Sequence, residues 1–217
     1  NLDPEASYLV TGGLGGLGLY VADALAQSGA KHLTLVSRRG SLENLEGDSA
    51  DQVAALQAKD VSISVANVDV GDAQSLAGLI EAMSNAEQPL KGVVHAAGIS
   101  DIALTHEMTM EQWQKVAHSK LEGSLNLHLA TRELALDFFV VFSSIASVWG
   151  SGGMAHYSAA NHFLDGLVDY RRAQGLPATA FNWGPWGGAG MATGDAAEEA
   201  ERRGLKPFEP KSAIELM

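Results

Sequence analysis

The sequence predicts an α/β fold, a doubly wound parallel sheet with helices on both faces. Three observations carry this. Short apolar bursts alternate with segments of helical periodicity along the whole of the 217 residues. The fifth burst, ALDFFVVFSS, is apolar without alternation, the pattern of a strand covered on both faces. The first burst runs straight into a glycine cluster and then a helical pattern. Strands alternating with helices make βαβ units, and βαβ units make a parallel sheet.

In chain order, SYLVTGG is a short buried strand ending in glycines. LGLYVADALAQSG has helical spacing and stops at Gly29, a suitable C′ residue. KHLTLVSRRG is the second strand, SLENLEGDSA reads as a polar loop, and DQVAALQAKD resumes a helix. VSISVANVDV is the third strand, AQSLAGLIEAMSN a helix, and KGVVHAAG the fourth strand. MEQWQKVAHSKLEGSLNLHLATRE reads as one long helix before the fifth strand. AANHFLDGLVDYRRAQG is a helix and ATAFNWGPW the sixth strand. The acidic stretch GDAAEEAERRG reads as an exposed helix, with a lid over the site as the sharper alternative. The chain is read as a single unit, 1–217, cut from something longer, because it starts just before a strand and stops early in a helical pattern, KSAIELM.

Hydrophobic residues make up 46% and charged residues 18%, an ordinary globular balance. A formal charge of −12 speaks against a nucleic-acid or anionic-membrane surface. The absence of cysteine excludes disulfides and a thiol nucleophile. The start, NLDPEASY, has no signal-peptide character, and no apolar run is long enough to span a bilayer, so the expected location is cytoplasmic. The seven histidines are scattered without metal-ligand spacing, and no metal is expected.

Gly12, Gly13, Gly15, Gly16 and Gly18, with Leu14 and Leu17 between them, lie where the first strand turns into the first helix. Glycine lets backbone approach a pyrophosphate, and the helix offers free N–H groups and a positive dipole end. In that setting the cluster marks a Rossmann-type dinucleotide site. At the end of the second strand an NAD site places a carboxylate, whereas an NADP site places a cation. Here the chain reads LVSRRG, so the expected cofactor is NADPH. Ser37 and Arg38 are the candidates for the 2′-phosphate, with Arg39 as second choice; one of the two arginines is expected to be a plain surface charge. Asp69, followed by Val70, is placed to meet the adenine, though an isolated Asp there also suits a helix N-cap. Ala96, Ala97 and Gly98 give small residues where backbone lies against the cofactor, and His95 before them reads as a packed structural histidine.

Reducing a ketone with a nicotinamide needs a proton donor, a hydrogen-bond donor on the carbonyl oxygen and a cation that makes the donor acidic enough. Tyr157 begins a helix, but the residue four further on is Asn161, not a lysine. Ser143 and Ser144 lie at the carboxyl end of the fifth strand, where open α/β sheets bind ligands. Lys120 is in the preceding long helix.

TGGLGGLG, SRR, HAAG, KLEGSLNLH, FSSIASVWGSGG, YSAAN with FLDGL, and NWGPW together resemble the ketoreductase domain of modular polyketide synthases, of the short-chain dehydrogenase/reductase superfamily. The resemblance covers nearly the whole chain. It implies that Lys and Asn of the common tetrad have exchanged places, with Tyr157 the general acid, Ser144 (preferred over Ser143) the carbonyl donor, Lys120 the cation, and Asn161 holding the lysine and a relay water. It further implies reduction of the β-keto group of an acyl thioester carried by phosphopantetheine on an acyl carrier protein. An N-terminal structural half and other synthase domains would be its partners. Trp149 matches the tryptophan of A-type domains, which give L-alcohols, and Ile102 stands where B-type domains carry the second Asp of LDD. Met154 stands where a histidine marks domains acting on epimerised substrates, and Trp183 and Trp186 are expected as packing and pocket wall. The alternatives are a free-standing reductase of small ketones and a catalytically silent NADPH-binding domain.

Overall fold

The computed structural model describes residues 1–38, 40, 42, 45, 47–187, 202, 204–215 and 217. Six strands, β1 (Ser7–Thr11), β2 (His32–Val36), β3 (Ser62–Ala66), β4 (Leu90–His95), β5 (Phe138–Ser144) and β6 (Thr179–Trp183), form one sheet in the order β3-β2-β1-β4-β5-β6. Every pairing is parallel. The order reverses between β1 and β4, where Thr11 stands beside His95. That is the switch point at which sheets of this kind open a crevice for ligands.

Side-chain alternation along each strand builds the two layers. Tyr8 and Val10 of β1, Leu33 and Leu35 of β2, Val94 of β4 and Phe142 of β5 enter one core, with Leu19, Val21, Ala22 and Leu25 of α1 (Gly16–Gln27) and Val53 and Leu56 of α2 (Asp48–Gln57). Leu9, Val36, Val93, Phe139 and Val141 enter the other, against α3 (Ala73–Ser84), Leu127 of α5 (Gly123–Thr131), and Leu164 and Val168 of α7 (Ala155–Ala173). Gly29 takes a φ of +112°, as a C′ glycine closing α1 should.

The structure departs from the sequence reading in four places. The single helix expected over 110–133 is three segments: α4 (Met110–Ala117), a π-helical stretch (His118–Glu122) and α5. Helical periodicity is too coarse to register one extra residue in a turn. The polar stretch 41–50 already enters α2 at Asp48. A short α6 (Ala146–Trp149) follows β5, and α7 begins four residues before the expected AANHF segment. The helical pattern read at KSAIELM is met by a last helix, Pro210–Ile214, which packs on α1 and contributes Ala213 and Ile214 to the first core. Arg39 lies outside the described residues, as does the acidic stretch 194–204 apart from Arg202 and Gly204.

Candidate active site

The glycine loop is shaped for close approach. Gly12 has φ +68°, and a Cβ there would lie 3.0 Å from the Ala97 backbone. A Cβ at Gly13 would lie 2.7 Å from Leu35 Cβ, and one at Gly18 would strike the Gly12 carbonyl. The loop, the first turn of α1 and the Ala96–Gly98 backbone are therefore pressed together at the switch point. α1 starts at Gly16 with Gly15 as N-cap, no capping side chain and no acidic residue in its first turn. Its free amides and positive dipole end fit a pyrophosphate. Leu14 and Leu17 pack partly buried on the first core.

Beyond the carboxyl end of β2, Ser37 has its N–H donating to the Ala66 carbonyl. Arg38 is exposed and stands 3.9 Å from Asp69. Asp69 is not an N-cap; Asp72 caps α3 through the Gln74 and Ser75 amides. Asp69 instead accepts the Gly71 N–H at 3.0 Å and faces His118 Nε2 at 3.1 Å. Burial pushes its carboxyl up, but the Gly71 amide, His118 and Arg38 outweigh that and hold it below the usual range. Val70 is buried under Gly123, and Asn126 of α5 donates to the Val70 and Gly71 carbonyls at 3.0 and 3.1 Å. Sequence reasoning missed His118 and Asn126, since nothing in their spacing marks them.

The four tetrad candidates converge. Lys120, on the π segment, is buried, with Nζ 5.6 Å from the Tyr157 ring centroid. Nζ donates to the Phe142 carbonyl at 3.0 Å. Burial pulls its pKa from 10.5 down to about 8, against the attraction of the Asp165 carboxylate. Tyr157 is also buried, and this desolvation raises its phenol above 10.0, while the side chains of Ser144 and Asn161 pull it back. The expectation of a phenol lowered by its neighbouring ammonium is thus not met in the protein alone; desolvation is the larger effect, and Lys120 bonds Phe142 rather than the phenol oxygen. Asn161 Nδ2 donates to the Tyr157 carbonyl at 2.8 Å, and its buried Oδ1 has no partner in the protein. Lys120 and Asn161 thus bond to Phe142 and Tyr157 rather than to each other. The two serines separate cleanly. Ser143 is buried, donates to the Asn161 carbonyl at 3.2 Å and accepts from Asn182 at 3.3 Å, whereas Ser144, on the opposite face, meets the phenol.

Trp149 ends α6 with 69% of its surface exposed. Met154 packs beside Tyr157, Ala146 and Val116. Trp186 is buried in an aromatic cluster with Phe142, Trp183 and Phe208, its ring 4.7 Å from that of Trp183. Among the described residues no group of three or more His, Asp or Glu could hold a metal, and no helix is long and apolar enough to cross a membrane.

A parallel sheet in this order, with a glycine loop at its switch point and a Ser–Tyr–Lys–Asn cluster beyond β5, defines a nicotinamide-dependent oxidoreductase of the short-chain dehydrogenase/reductase type. Residues 6–188 match the KR domain family, and the chain belongs to that family. It is 38% identical over 216 residues to erythronolide synthase EryA3 of Saccharopolyspora erythraea, covering 99% of this chain and 7% of that protein. It is 42% identical over 198 residues to the hybrid PKS-NRPS synthetase pyvA of Aspergillus violaceofuscus, covering 91% and 5%. A solved A1-type ketoreductase superposes with a TM-score of 0.90 at 41% identity, covering 99% of this chain and 45% of the other. The first ketoreductase of the tylosin PKS gives 0.86 at 38%, covering 99% and 46%. The chain thus spans under half of these solved ketoreductases and a small part of the multidomain synthases.

Proposed function

We propose that this domain uses NADPH to reduce the β-keto group of a β-ketoacyl thioester, carried by phosphopantetheine on an acyl carrier protein, to the L-β-hydroxyacyl thioester. The observation that carries the reading is the buried Lys120 beside Tyr157, delivered by a helix other than the one that holds the tyrosine. The loop from Gly12 to Gly18 would hold the pyrophosphate, Ser37 and Arg38 the 2′-phosphate, Asp69 and Val70 the adenine, and Ala96, Ala97 and Gly98 the nicotinamide side. Held there, the dihydronicotinamide would supply the hydride for the carbonyl carbon. Ser144 Oγ donates a hydrogen bond to the carbonyl oxygen, and Tyr157 Oη gives it a proton. The raised phenol keeps that proton in the free protein, and the Lys120 ammonium stabilises the phenolate left behind. Asn161 fixes the Tyr157 backbone, and its unpartnered Oδ1 suits a water that returns the proton. Trp149 and the absence of an acidic residue at Ile102 support the A-type outcome.

The test is NADPH oxidation at 340 nm with a β-ketoacyl pantetheine thioester, followed by chiral analysis of the product. Turnover favouring the thioester over simple ketones is expected, with an L-alcohol. Binding without oxidation would make the domain a silent one. A D-alcohol would remove the A-type assignment and leave the chemistry standing.

A further inference from the structure

His95 sits at the switch point with 1% of its surface exposed. Its Nε2 lies 3.1 Å from the Ser119 carbonyl, which can only accept, so Nε2 carries the proton. Burial, reinforced by the Lys120 charge, brings its pKa to about 3, so the ring is neutral and Nδ1 is an acceptor. Thr11 Oγ1, 2.7 Å from Nδ1, therefore donates to it. The same Thr11 oxygen accepts the Ala97 N–H at 3.3 Å. The result is one chain with a single direction: Ala97 N–H to Thr11, Thr11 O–H to His95, His95 N–H to Ser119. One end is the loop pressed against Gly12. The other is the residue immediately before Lys120, inside the π segment. Gly98, next to Ala97, closes the same junction, since a Cβ there would lie 2.8 Å from Lys120 Cε.

We propose that His95 is a positioning residue whose Nε2–H, bonded to the Ser119 carbonyl, holds the π segment in the register that aims Lys120 at Tyr157 and couples it to the cofactor loop. The proposal rests on the reading that Lys120 serves Tyr157. A π turn is rare and occurs mostly as a single turn. An anchor from outside the helix fixes where that turn sits. The charged and titratable groups around Lys120 are His95 from β4 and Tyr157 and Asp165 from α7. His118 and Glu122, on its own segment, pair with each other, and His118 also with Asp69.

Three variants of the whole chain separate positioning from packing. His95→Gln places a donor where Nε2 stood, His95→Asn keeps only the Thr11 side, and His95→Phe keeps only bulk. Activity of each is measured with NADPH and a β-ketoacyl pantetheine thioester from pH 6 to pH 10. The expected result is His95→Gln near wild type, with His95→Asn and His95→Phe losing roughly 10–100-fold in kcat at little change in KM. In those two the alkaline limb moves to higher pH, because a Lys120 freed from its desolvated position and a Tyr157 without its cation both titrate higher. Equal activity of the Asn and Gln variants, or an unmoved limb in both, overturns the proposal. A second measurement needs no variant. Nitrogen NMR of the wild-type imidazole is expected to show the Nε2–H tautomer, and an Nδ1–H tautomer overturns the proposal even if the substitutions prevent folding. If wild-type protein fails to turn the thioester over, the functional reading fails separately, and the tautomer still decides the hydrogen-bond chain.

Discussion

Lys120 is held at a cost. Its pKa falls from 10.5 to about 8 on burial, which corresponds to roughly 3 kcal/mol of penalty on the charged form. The unfolded chain therefore keeps the proton between about pH 8 and 10.5 where the folded chain releases it, and stability should rise with pH across that window, as urea unfolding will show. Lys120→Met should remove most turnover and at the same time raise Tm at pH 7, because the apolar chain fits the same space without the charge. A variant with near-wild-type kcat would end the assignment of Lys120. Turnover of the wild type should fall as pH rises through about 8, where the ammonium discharges. Tyr157→Phe and Ser144→Ala should each cost about 10²–10⁴ in rate, yet not multiply in the double variant, because both hydroxyls act on one oxygen. Arg38→Ala should raise KM for NADPH far more than for NADH; equal effects would mean that it does not read the 2′-phosphate. All four tetrad candidates were legible by residue type and position. The net sense of the Tyr157 shift was not, because it depends on how burial and neighbouring groups balance in three dimensions.

At the scale of elements, the strand–glycine–helix unit was readable because its residues have no other good use. Gly18→Ala forces a Cβ onto the Gly12 carbonyl, and overpacking of this kind costs about 1–3 kcal/mol. Tm should drop and KM for NADPH should rise together. Gly78→Ala is the control: a Cβ at this position in α3 meets nothing within 4 Å, and the change should stabilise by about 0.5–1 kcal/mol. The π segment was not readable, since the short stretch His118–Glu122 sits inside one longer helical pattern and has no period of its own. Its position is set by contacts from other elements, among them His95 to Ser119 and His118 to Asp69. The short α6 was missed because four residues give no period to detect. The resemblance favoured Ser144 over Ser143, and the two faces of the strand separate them: Ser143 is spent on the Asn161 and Asn182 contacts, while Ser144, which accepts the Ala146 N–H, meets the phenol.

For the whole molecule, the six strands followed from short apolar runs and their parallel arrangement from the alternation of those runs with helical patterns; in β1, Tyr8, Leu9 and Val10 enter different cores in turn. What could not be read was the pairing order, because nothing local says that β4 rather than β3 lies beside β1. That pairing joins Thr11 to His95 across 84 residues of chain. During synthesis at about 5–20 residues per second, β1 leaves the ribosome roughly 4–17 seconds before the strand that completes it. For that interval one edge of an apolar strand has no native neighbour, even as α1, α2 and α3, which precede β4 in the chain, emerge to cover its faces. Newly made chain halted before β4 should be degraded or bound by chaperones, and protease resistance should appear only once β4 has emerged. In a multidomain chain of which such a domain is a small fraction, each embedded copy would pass through an exposed interval of its own before its sheet closes.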